Sequence, residues 1–176
     1  MRPLLAAVAD ALAPARPLQV DAGAGTLDLA SQLPGGEPVL VLVREDAGTV
    51  TCYGRVPVDV PPERAADVTL LAASLTTDLF TTSVEAGSPA GTVLVRGALA
   101  LGPLVPVPDG RPVLHPDVLG ALLLAVVEDV ESTVERVLDA VEDVVAGTRT
   151  PSEAAHDVRT ADLDALVLQV EALEGD

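Results

Sequence analysis

A chain of 176 residues with 49% hydrophobic residues has the length for one packed domain and a short appendage. Its net charge of −17 repels phosphate backbones and anionic membrane surfaces, so nucleic acid and membrane are excluded as expected partners. A basic or partly disordered polypeptide is attracted, although the same charge also serves solubility or salt adaptation. Tyr53 and Phe80 are the whole aromatic set, and there is no Trp. The core is therefore aliphatic, gaining about 1.5–3 kcal/mol per fully buried large side chain.

Leu4, Leu5, Val8 and Leu12 fall at helical spacing and predict a short first helix. Asp10 breaks the apolar run there, so the segment reads as an amphipathic helix rather than a signal peptide. Leu18-Gln19-Val20 and Leu27-Asp28-Leu29 alternate like strands around the turn Asp21-Ala22-Gly23-Ala24-Gly25. They form either a small hairpin or one interrupted edge. Val39 to Val43 is a continuous apolar run, which suits a strand covered on both faces. After the turn at Glu45 to Gly48, Val50, Cys52, Gly54, Val56 and Val58 share one strand face, and Thr49, Thr51, Tyr53 and Arg55 share the other.

Pro61-Pro62-Glu63-Arg64 opens a second helix with a proline where the missing N–H is harmless, and Val68, Leu71 and Leu75 form its buried stripe. A second strand pair runs from Phe80 to Leu101, with a turn at Gly87 to Gly91, and Pro103 to Pro112 is a proline-rich loop. The third helix spans about Pro116 to Ala146. Leu123, Val127, Val130, Val134, Val137, Val141 and Val144 step by four and three along it without a slip. Glu128, Glu131, Glu135, Asp139 and Glu142 are read as one acidic stripe on its opposite side, relieved by Arg136 alone. Gly147 stops this helix. Thr150-Pro151-Ser152-Glu153 is a capping box for a last helix carrying Leu163, Leu166, Val170 and Leu173.

Two strand pairs, each leading into a proline-started helix, define an α+β domain with helices packed on an antiparallel sheet, plus an extra C-terminal helix. The domain is expected over 1–147, with an acidic helical tail over 148–176. The longest uncharged helical run, Val118 to Val127, is too short to cross a bilayer, so a cytoplasmic location is expected.

No residue pattern points to catalysis. His115 precedes Pro116 and reads as a helix cap; His156 lies in the acidic tail. Cys52 is single, which rules out an internal disulfide and a cysteine-based metal site, and it falls on the apolar face of its strand. Gly23-Ala24-Gly25 lacks the third glycine of a nucleotide loop, with Asp28 in its place and a strand following. Asp109-Gly110 lacks the further ligands of a calcium loop. No catalytic residue, cofactor or metal is assigned.

Taken in serial order, these elements resemble the YbjN family, whose members share the fold of type III secretion chaperones. The resemblance covers roughly residues 4 to 146. It is carried by Leu4-Leu5, by Val39 to Val43, and by Val56-Pro57-Val58-Asp59-Val60-Pro61-Pro62-Glu63-Arg64. Phe80, Gly91 before Thr92 to Arg96, and Leu114-His115-Pro116-Asp117-Val118-Leu119 complete it. It implies an α-β-β-β-α-β-β-α domain, often homodimeric, that binds a polypeptide as a chaperone-like or signal-regulatory adaptor. The loop from Pro103 to Pro112, the acidity of the long helix and the tail after Gly147 depart from that pattern.

The functional expectation is thus a non-enzymatic protein-binding module with a protein partner and a homodimeric state. Val130, Val134, Val137 and Val141 are the expected helix–helix interface, and ordinary intramolecular core is the other reading of the same seam. The alternatives are a carboxylate-based metal- or ligand-binding protein and a stand-alone salt-adapted domain.

Overall fold

The computed structural model describes residues 2–33, 35–77, 79, 81–87, 91–102 and 115–161. Helix α1 (Pro3–Leu12) is followed by four strands, β1 (Leu18–Asp21), β2 (Thr26–Leu29), β3 (Val39–Arg44) and β4 (Thr49–Val56). A 3₁₀ turn over Pro62–Arg64 leads into α2 (Ala65–Thr76), then come β5 (Thr82–Ala86), β6 (Val93–Ala100) and α3 (Pro116–Ala146). The strands form one antiparallel sheet in the order β1-β2-β3-β4-β6-β5. This is the expected α+β architecture, with one strand more ahead of α2 than the family pattern implies. The extra strand exists because the first alternating segments fold as a true hairpin. Asp21 Oδ1 accepts from the N–H groups of Gly23 and Ala24 at 2.9 and 3.0 Å, and Gly25 takes φ 78°.

The helices share one side of the sheet. The stripes of α1 (Leu4, Leu5, Val8, Leu12) and α2 (Val68, Leu71, Leu75) enter the same core as Val39, Val41, Val50, Val56 and Val95. Helix α3 lies along β4 and β6, with α1 beside it and α2 beside β5. Two glycines let α3 approach closely. A β-carbon on Gly54 would stand 2.8 Å from Val130 Cγ1, and one on Gly97 would stand 2.9 Å from Val126 Cγ1 and Val130 Cγ2. Gly147, at φ 73°, ends α3 as expected, with the Thr148 N–H returning to the Asp143 carbonyl at 3.0 Å.

Three sequence expectations change. Val39 to Val43 is covered on one face only: Val39, Val41 and Val43 are buried, whereas Leu40 is 38% exposed. With every described helix on one side, alternate residues of a strand face away from that core. Second, Glu131 leaves the acidic stripe. It is 7% exposed, and its Oε1 accepts from Arg16 at 2.6 Å and from the Gln32 N–H at 3.0 Å. It ties the α1–β1 and β2–β3 connections to α3, and its hydrogen bond raises the Arg16 pKa further above its ordinary value. Third, β5 begins at Thr82; Phe80 lies outside the described residues, as do 103–114 and the tail residues Leu163, Leu166, Val170 and Leu173.

The capping box is present. The Thr150 N–H donates to Glu153 Oε2 at 2.9 Å, and the Glu153 N–H donates to Thr150 Oγ1 at 3.3 Å. Residues 151–161 are helical, and Ala154 and Ala155 are buried in the core. A second cap was not legible beforehand. Glu45, in the β3–β4 turn, accepts from the N–H groups of Leu4 and Leu5 at 3.2 and 2.9 Å, closing the start of α1 from a distance in sequence.

Candidate functional site

The seam valines do not reach the surface. Val130, Val134, Val137 and Val141 are at most 1% exposed and sit between α3 and the protein's own sheet. A partner cannot touch them without opening the fold.

Among the described residues, no helix lies over the other face of the sheet. Cross-strand neighbours point to the same side, so the register builds rows across the strands. One row runs Gln19, Asp28, Leu40, Tyr53, Arg96 and Ser83, one residue from each strand. Two residues further along, Arg55, Leu94 and Glu85 are neighbours in the same way. Between these rows lies a depression of about 550 Å³ floored by Leu40, Tyr53 and Leu94. A second, of about 330 Å³, lies against Leu18, Gln19 and Ala30. Asp28 and Pro38 line both, so the two depressions adjoin, and together they touch all six strands; the pair is termed the groove.

Ion pairs fix the groove's charged side chains. Arg55 binds Glu37 and Asp59, each at 2.8 Å, and Arg96 Nε binds Glu85 at 2.7 Å. The side chains of these pairs are a third or more exposed and each pair contributes on the order of 0–1 kcal/mol, so they orient more than they stabilise. Arg55 Nε is buried and has no hydrogen-bond partner among the described residues. Asp28 is exposed, with no side-chain hydrogen bond or ion pair among them.

The two edges of the sheet differ. At β5, Thr76 of α2 donates its hydroxyl to the Val84 carbonyl at 3.1 Å and accepts the Val84 N–H at 2.9 Å. That occupies the outer edge, where unpaired groups would otherwise invite another strand. At β1, Val20 is 40% exposed.

The residues considered for chemistry are scattered. His115 caps α3, its Nδ1 accepting from the Asp117 N–H at 3.4 Å. His156 is exposed on the helix beginning at residue 151. Cys52 is buried on the helix side, where desolvation pushes its thiol pKa up to about 12 and keeps it neutral. Among the described residues, no three His, Cys, Asp or Glu side chains converge as a metal site, and no helix is long and apolar enough to cross a membrane.

Sequence reasoning grouped Thr49, Thr51, Tyr53 and Arg55 on one strand face but had no reason to single that face out. The usable signal was Leu40 and Leu42 within an apolar run. They are the apolar residues left outside when only one side is covered.

The described residues define an α+β protein with helices on one side of an antiparallel sheet. Among solved structures, it is similar to the crystal structure of YbjN from E. coli, a proposed transcription regulator. The two share 10% identity with a TM-score of 0.49, over 77% of this chain and 87% of that one. No family model matches the sequence, and no curated protein matches it.

Proposed function

We propose that this protein is a non-enzymatic protein-binding module, a chaperone-like or signal-regulatory adaptor that receives a polypeptide segment on the outer face of its sheet. The observation that carries the reading is the groove across the strands, with Leu40, Tyr53 and Leu94 on its floor. Leu40 is 38% exposed there, and a partner covering apolar area of this kind gains about 25 cal/mol per Å². Among the described residues, Arg55 Nε beside the groove is a buried donor without a partner.

The test is comparative capture from the native host. Wild type, Leu40→Glu in the groove, and Glu142→Gln on the exposed side of α3 serve as baits. A polypeptide held by wild type and Glu142→Gln but lost from Leu40→Glu supports the reading. The same set of polypeptides on all three baits contradicts it.

A further inference from the structure

The groove has a length, a pitch and a charge, and together they select an occupant. The row from Gln19 to Ser83 crosses five gaps between strands, about 24 Å at 4.7–4.9 Å per strand. An α-helix of about 16 residues has that length. Its pitch of about 5.4 Å is close to the strand spacing, so apolar residues one turn apart meet successive strands. An extended chain lying across the strands would find no backbone partners there, because the sheet's own N–H and C=O groups point sideways within it.

Charge decides the polar positions. Of the groove's carboxylates, Glu37 and Glu85 are already paired with Arg55 and Arg96. Among the described residues Asp28 has no ion-pair partner; it lines both depressions and has Leu40 as its cross-strand neighbour. Tyr53, the one tyrosine of the chain, follows on the next strand. A lysine or arginine reaching Asp28 lays its methylene stem along Leu40, with the Tyr53 ring on the next strand beyond it. A carboxylate in that position meets both Asp28 and the field of a molecule with a net charge of −17.

We propose that the groove binds a basic amphipathic helix of a partner protein, laid across the strands, with a lysine or arginine on Asp28 and apolar residues on Leu40, Tyr53 and Leu94. The proposal rests on the outer face being the binding surface, as argued above, and adds the chemistry of what it binds.

Two synthetic peptides of about 16 residues test it. They share one leucine stripe and carry either lysine or glutamate at every polar position. Binding is measured by calorimetry at about 0.15 M salt, where screening beyond about 8 Å suppresses bulk attraction. Wild type is expected to bind the lysine peptide one to one and at least about tenfold more tightly than the glutamate peptide. Leu40→Glu makes the protein more negative yet should weaken binding by about tenfold or more, since it removes the apolar floor. Asp28→Asn should weaken it about two- to fivefold, and Glu142→Gln should leave it unchanged.

Equal binding of the lysine peptide by wild type and Leu40→Glu would mean bulk electrostatics and would overturn the proposal. A glutamate peptide that binds more tightly and is lost with Leu40→Glu would overturn the charge assignment while leaving the face as the binding surface. Failure of both peptides would overturn the helical occupant, and the capture experiment would still judge the face. A wild-type dimer that Leu40→Glu converts to monomer in sedimentation would put a second copy in the groove, overturning the proposal.

Discussion

Gly54 and Gly97 set how closely α3 lies on the sheet, and giving either one a β-carbon tests the packing directly. In an unobstructed strand, Gly→Ala stabilises by about 0.5–1 kcal/mol, because glycine loses more backbone freedom on folding. Here the added carbon at position 54 would stand 2.8 Å from Val130 Cγ1 and 3.0 Å from Val134 Cγ2; at position 97 it would stand 2.9 Å from Val126 Cγ1 and from Val130 Cγ2. Ordinary carbon contacts lie at about 3.5–4.0 Å, so each clash must be relieved by about half an ångström or more. Helical valine occupies one χ1 rotamer about 90% of the time, so the methyls cannot swing aside and the whole helix must lift. Overpacking of this kind costs about 1–3 kcal/mol. Set against the backbone gain, each variant should lose up to about 2.5 kcal/mol, and about 1 kcal/mol at the middle of both ranges. Val130 opposes both glycines, so Val130→Ala should relieve part of either clash, with a coupling of about 1 kcal/mol in each double-mutant cycle. Urea titration followed by far-UV circular dichroism suits a chain without tryptophan. A stabilising Gly→Ala change, or cycles that simply add, would refute the close-approach argument.

Three further outcomes follow from the same contacts. Glu131→Ala leaves the Arg16 cation and the Gln32 N–H without their acceptor at a site where the paired side chains are 14% and 9% exposed, and should cost about 3–5 kcal/mol in urea; Glu131→Gln, which keeps an acceptor, should cost less. Glu45→Ala should cost about 1 kcal/mol and speed amide exchange at Leu4 and Leu5 while leaving the middle of α3 protected. Cys52 should resist thiol reagents in the native protein and react on unfolding. Because its folded pKa, about 12, lies above the ordinary thiol value of 9.0, the unfolded chain ionises first, and stability should fall as pH rises between those values. The fall should vanish in Cys52→Ala.

Much of the framework was legible because it is local. The stepping of Leu123 to Val144, the proline starts at Pro62 and Pro116, the αL stop at Gly147 and the Thr150–Glu153 box each depend on neighbours a few residues away. What was not legible depends on placement in space. The valine seam reads equally well as an interface or as core, and only the position of β4 and β6 beneath α3 decides between them. Glu131 looks like its exposed neighbours until Arg16 and Gln32 arrive from distant turns. Leu40 belongs to a run that suits a doubly covered strand, and its exposure follows from where the helices went. The groove is therefore a property of the register across six strands, which no local pattern specifies.

Amide-shift mapping by NMR reaches the central claim most directly. The isotope-labelled protein is titrated with the polypeptide that wild type retains and Leu40→Glu loses. The largest shifts should fall on Asp28, Leu40, Tyr53 and Leu94, with Val130, Val134, Val137 and Val141 essentially unmoved. Shifts concentrated on α3 or along the outer edge of β1, with the groove residues silent, would contradict the account.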